Sequence, residues 1–139
     1  MKKVFLDSDI IRDISEEREP HYENSANVMS LITSGDILGF TSSLIIANLY
    51  YLQRKDFGHY KNIEFIKKLR KILIILSVTD KTIEKALYSD FKDFEDAIQH
   101  FCALENNMDC FITRNIKDYD EAEIPIFTPI DFLNNIIKK

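Results

Sequence analysis

Three acidic stretches hold the residues best suited to chemistry. V-F-L-D-S-D-I-I sets Asp7 and Asp9 directly after an apolar run. D-F-K-D-F-E-D supplies Asp90, Asp93, Glu95 and Asp96, and N-I-K-D puts Asn115 three residues before Asp118. Carboxylates within about 4 to 6 Å of one another repel and raise each other's pKa, so such a cluster is kept mainly where a cation holds it together. Hard oxygen donors, with no histidine or cysteine pair at ligand spacing, select Mg²⁺ or Mn²⁺ over zinc. One or two such ions can orient a water, lower its pKa and stabilise the charge that develops on a phosphoryl group.

Each residue also has a plainer role. Asp9 can cap a helix beginning at Ile10. Asp93 and Glu95 fall in a first helical turn, where the macrodipole favours negative charge. Asp118 fits a turn, and Asp90 and Asp109 read as solvated. Asp96 precedes the apolar Ala97 and Ile98 and is expected to face inward with them. His21, His59 and His100 lack ligand spacing, and His100 is expected at the surface or in support of the site. Arg114 suits either a phosphate or a rim salt bridge, with Ser8 as a second substrate contact. Lys61, Lys67, Lys68, Arg70 and Lys71 form a basic cluster that could touch RNA or simply be a solvated face.

Strands must bring these residues together. Lys2 to Leu6, Ile37 to Thr41, Ile72 to Val78, Cys110 to Thr113 and Pro125 to Phe127 read as strands. Helices are expected from Ile10, over His21 to Ser34, Leu44 to Lys55, Tyr60 to Leu69, Thr79 to Tyr88, Asp93 to Asn106, and Pro129 to Ile137, with a turn at Asp56 to His59. The alternation predicts βαβ crossovers: an α/β fold, with a central, mostly parallel sheet of about five strands between two helical layers. Ligands in such folds bind beyond the carboxyl ends of the strands, where Asp7, Asp9 and the residues after Thr113 should emerge.

Length and composition agree with one domain over residues 1–139, since 139 residues at 45% hydrophobic and 29% charged suffice for one full core. No apolar stretch approaches the ~20 residues of a bilayer span and no long signal segment opens the chain, so a cytoplasmic protein without membrane contact is expected. Cys102 and Cys110, both in apolar patterns, read as buried thiols. A net charge of −5 argues against a nucleic-acid binder relying on a broad basic field, but not against an acidic site that binds cations.

The ordered set V-F-L-D-S-D-I-I, T-S-S-L-I-I-A-N-L-Y-Y-L, D-F-E-D-A-I-Q-H-F-C-A-L-E-N, F-I-T-R-N-I-K-D-Y and P-I-F-T-P-I-D-F-L resembles the PIN-domain proteins along essentially the whole chain. The resemblance implies a three-layer α/β/α domain with a divalent-metal nuclease site. It implies Mg²⁺ or Mn²⁺ as cofactor, single-stranded RNA as substrate and, as in VapC-type toxins, an antitoxin partner and a homodimer. Position by position it assigns Asp7, Asp96 and Asp118 as metal-binding catalytic acids, with Asp93 and Asp9 as additional ligands. Two departures stand out: Asn48 occupies the position of a common glutamate, and Asn115 that of a frequent aspartate. Both are expected in supporting roles, with Asp9 restoring part of the missing charge. The alternative is a weakened PIN-like module that binds RNA or a protein without cleaving.

Two other families fit less well. Haloacid-dehalogenase-type phosphatases usually carry Thr or Val where this chain has Ile11. A response-regulator receiver could use Asp80 but needs a lysine that the stretch Pro125 to Pro129 lacks.

Overall fold

The structure is a computed structural model, described over residues 2–137. Five strands form one sheet: β1 (Lys3–Leu6), β2 (Leu38–Ser42), β3 (Ile74–Leu76), β4 (Cys110–Ile112) and β5 (Ile126–Phe127). Their order is β3-β2-β1-β4-β5 and every pairing is parallel. The helices are α1 (Ser8–Ser15), α2 (Tyr22–Thr33), α3 (Ser43–Ile72), α4 (Asp80–Leu87), α5 (Phe94–Glu105) and α6 (Pro129–Ile137), with a 3₁₀ turn at Ile116–Tyr119. The architecture is the three-layer α/β/α sandwich that the alternation predicts.

The central place of β1 explains its composition. Flanked on both edges and covered on both faces, Val4, Phe5 and Leu6 are fully buried, and an apolar run without alternation is what such a strand requires. The Phe5 ring stacks on Phe111 of β4 at 4.9 Å. Parallel crossovers are right-handed, so the connections running from β1 through β2 to β3 and the one returning from β3 to β4 put their helices on opposite faces. The order reverses between β1 and β4, and the crevice beyond their carboxyl ends is where ligands bind in open sheets.

Two expectations need correction. The first helix starts at Ser8, not Ile10, and its cap is Asp7, whose Oδ1 accepts the Ser8 amide at 2.8 Å; Asp9 lies in the first turn. The strand ends one residue before Asp7, leaving no room for a further linker. The two helices expected around Asp56 to His59 are one bent element, α3, in which Gly58 takes φ 71° and ψ 175°. Here Asn62 donates to the Tyr50 carbonyl at 2.8 Å and accepts from Gln53 at 3.2 Å. Buried amides thus stand in for the missing helical bonds, which hydrophobic periodicity cannot show.

Gly39 of β2 also has a packing reason. A methyl group there would lie 2.5 Å from Ile32 Cδ1 and 2.7 Å from Leu73 Cδ2.

Candidate functional site

Strand register builds the site. Leu6 pairs with Ile112, so Asp7 and Thr113 leave the sheet side by side, and the Asp7 amide donates to the Ile112 carbonyl at 3.0 Å. Thr113 is buried, and its hydroxyl donates to Asp7 Oδ2 at 2.9 Å. Tyr119, on the 3₁₀ turn, is 3% exposed and donates to the same Asp7 oxygen at 3.2 Å and to Asp96 Oδ1 at 3.3 Å. Carboxylates from the first strand's end and from α5 therefore share one phenolic hydroxyl.

Burial, then the neighbouring Asp9, pushes the Asp7 carboxyl up to about 7 from an ordinary 3.8, and Asp96 contributes in the same direction. Asp96 is half-buried and rises to about 6, first through burial, then through Asp93 and Asp118. The Tyr119 phenol is pushed far above its usual range by burial and the two acids, so it remains a donor.

Asp9 is also raised, chiefly by burial. Its Oδ2 accepts from the Arg114 amide at 3.0 Å, from Asn115 Nδ2 at 3.2 Å and from the Thr113 hydroxyl at 3.4 Å. Its Oδ1 is buried with no hydrogen-bond partner.

The remaining candidates are distributed around this pair. Asp93 caps α5, its Oδ1 accepting the Asp96 amide at 2.9 Å. Asp118 is exposed on the 3₁₀ turn and, with Asp93, Asp96, Lys92 and Lys117, lines a cleft of about 170 Å³. Ser8 contributes its backbone amide to Asp7. Among the described residues two candidate side chains make no hydrogen bond to Asp7, Asp9 or Asp96. Among the described residues Asn48 has no hydrogen bond to the acidic group, and Arg114 turns its guanidinium to Asp13, Nε to Oδ2 at 2.9 Å. His100, expected at the surface or in support of the site, is fully buried, which removes the first of these; its Nε2 accepts the Glu123 amide at 2.9 Å and its ring packs on Phe91. Cys102 and Cys110 are buried free thiols, as their apolar patterns predict.

Three contributors escaped the sequence reading. Thr113 and Tyr119 read only as the end of a strand and the neighbour of an acid. A hydroxyl within or beside an apolar run was the available signal. Asp13 is fully buried and is held by Arg18 at 3.1 Å, Arg114 at 2.9 Å and the Ser25 hydroxyl at 3.1 Å. Four residues after Asp9, it sits one helical turn along α1, and this knot fixes the chain segment that follows β4.

The donor set suits a hard divalent cation. Asp9 keeps a buried carboxylate oxygen without a partner, and Asp7 and Asp96 sit at raised pKa values that a nearby positive charge would reverse. Among the described residues no three acidic, histidine or cysteine side chains already enclose a common point. The residues fit in kind, and Asp96 and the exposed Asp118 have room to adjust.

Comparisons with known proteins bear on the family and the fold. A family model described as PIN domain matches residues 3–117. Ribonuclease VapC1 of Aquifex aeolicus (strain VF5) is 28% identical over 136 residues, spanning 94% of this chain and 93% of that protein. Among solved structures, the DNA-bound VapBC complex of Salmonella typhimurium has a chain similar at TM-score 0.68 and 17% identity, covering 93% of this chain and 99% of that one. A chain of a toxin-antitoxin complex from Klebsiella pneumoniae matches at TM-score 0.68 and 19% identity, covering 91% and 97%. VapC20 of Mycobacterium tuberculosis, a sarcin-ricin loop cleaving toxin, matches at 0.62 and 16%, covering 78% and 86%.

Proposed function

The chain belongs to the PIN-domain family, and from that premise we propose that it is a Mg²⁺- or Mn²⁺-dependent endoribonuclease acting on single-stranded RNA, the toxin of a toxin-antitoxin pair. The observation that carries this reading is the sharing of one buried hydroxyl by Asp7 and Asp96 at the point where the strand order reverses. Asp7, Asp96 and Asp118 would hold the cation directly or through water, with Asp9 and Asp93 adding charge and Asn115 steadying Asp9. When bound, the ion supplies a Lewis acid that lowers the pKa of a water and neutralises charge on the phosphoryl group.

The chain's own residues do the positioning. Thr113 and the Ser8 amide hold the two oxygens of Asp7, and Asp93 fixes the first turn of α5 so that Asp96 projects into the cleft. Lys92 and Lys117 on the rim are suited to the flanking phosphates of a bound strand. Arg114, committed to Asp13, supports the loop and leaves phosphate contact to these lysines.

The antitoxin partner rests on the similarity to VapBC and other toxin-antitoxin chains, and dimerisation on the same resemblance. Among the described residues no helix is long and apolar enough to cross a membrane, which is in keeping with a cytoplasmic ribonuclease. A second reading, a module that binds RNA or protein without cleavage, is favoured by the neutral Asn48 and Asn115 where charge is common in the family.

Mn²⁺ titration with parallel cleavage of single-stranded RNA separates the two. The nuclease reading expects cation binding and cleavage, both lost in Asp7→Asn and Asp96→Asn. Cleavage that persists in both variants would sink it, and RNA binding without cleavage by the metal-loaded wild type would establish the second reading. A small DNA-binding protein encoded beside this chain, co-purifying with it and blocking cleavage, would support the toxin assignment.

A further inference from the structure

Among the described residues Tyr119 is the one side chain whose polar atom touches acids from both sides of the cleft. Its ring is immobilised against Phe111 at 4.6 Å and Phe91 at 6.1 Å, and it is 3% exposed, so the hydroxyl is aimed and held by packing. The hydroxyl has one proton and two acceptors, Asp7 Oδ2 at 3.2 Å and Asp96 Oδ1 at 3.3 Å. Asp7 arrives from the end of β1 and Asp96 from the first turn of α5, elements with no backbone bond between them at this point.

We infer that Tyr119 is a positioning residue: its hydroxyl sets the separation of Asp7 and Asp96 before any cation arrives and remains hydrogen-bonded to them when one is held. This rests on the metal reading proposed above. Two carboxylates drawn into one crevice repel, and the cation has to overcome whatever separation they adopt without it. A donor fixed between them keeps the gap short, so less of the binding free energy goes into gathering the ligands. Hydrogen-bond partners of metal-holding carboxylates commonly govern affinity in this way, and losing one weakens binding by about 10- to 100-fold. Thr113 does not duplicate the role, because its hydroxyl reaches Asp7 and Asp9, both on the same side of the cleft.

The test is Tyr119→Phe, which keeps the ring and removes only the hydroxyl. Mn²⁺ affinity measured by calorimetry should fall at least about tenfold relative to wild type. A second signature uses Tb³⁺ as probe: with no tryptophan and six tyrosines in the chain, emission sensitised by tyrosine excitation reports a tyrosine beside the ion. It should be strong in wild type and largely lost in Tyr119→Phe at saturating Tb³⁺. Gly39→Ala, which strains the core at β2, controls for destabilisation: it should lower the melting temperature and leave Mn²⁺ affinity unchanged. If Tyr119→Phe lowers the melting temperature but binds Mn²⁺ within about twofold of wild type, the hydroxyl is only structural and the inference fails while the metal reading stands. A wild-type chain that takes up no Mn²⁺ overturns the metal reading and this inference together.

Discussion

At the scale of single residues, Asp7 combines three roles that conflict. It ends a buried strand, caps α1, and sits among other acids. Its folded carboxyl titrates at about 7 against an ordinary 3.8, so the folded chain holds that proton more tightly than the unfolded one. The stabilisation is present in full below pH 3.8 and is lost as pH rises through about 7. Thermal melts of metal-free protein should therefore show the melting temperature falling across that window. Asp7→Asn should flatten the decline, leaving the variant above wild type near about pH 8. A wild-type profile that rises with pH over the same range would contradict the assignment. Asp13 behaves differently, since Arg18 and Arg114 both face it. Asp13→Ala removes the carboxylate partner of two partly exposed arginines, leaving Arg18 only its bond to the Asp9 carbonyl, and chemical denaturation should register a loss of about 2 kcal/mol.

The elements show how composition and conformation can diverge. α3 carries a glycine at φ 71° and ψ 175°, a region essentially reserved for glycine, with no atom within 4 Å of where a Cβ would stand. Gly58→Ala should cost about 1 to 3 kcal/mol through backbone strain alone. Gly39→Ala should cost a similar amount, about 1 to 3 kcal/mol, for the opposite reason: its backbone is ordinary, but the methyl group meets Ile32 and Leu73 in the core. Trimming Ile32 to valine or alanine beside it should recover part of the second loss and none of the first. Denaturant midpoints of these variants measure both effects.

For the molecule as a whole, the topology decides where chemistry is possible. The chain leaves β1 toward β2 on one side and returns from β3 to β4 on the other, and the crevice opened there gathers residues from the chain's first ten, from the nineties and from positions 113–119. If that crevice holds a divalent ion, binding is linked to folding: Mn²⁺ at about 100 times its Kd should add about 2.7 kcal/mol. For a chain of this size that corresponds to a rise of roughly 10 °C in melting temperature. The rise should vanish in Asp7→Asn and shrink as pH falls through about 7 and then about 6, where Asp7 and then Asp96 take up protons.

The strand and helix order was legible in the residues because a buried parallel strand needs an unbroken apolar run, and an amphipathic helix a 3.6-residue repeat. Asp7 stood out for the same reason, as a charge directly against such a run. Its partners were not legible. Whether Asp9 caps a helix or carries an unpaired oxygen depends on where the strand stops, and Arg114 turns to Asp13 because α1 and the segment after β4 meet only in three dimensions. Tyr119 is the clearest case. In the sequence it is one aromatic beside Asp118, and only the register of β1 with β4, together with the packing of α5, brings its hydroxyl between two acids 89 residues apart in the chain, at positions 7 and 96. Local patterning determines the elements because it acts through neighbours along the chain; side-chain partnership is decided by contacts that the chain makes only after it has folded.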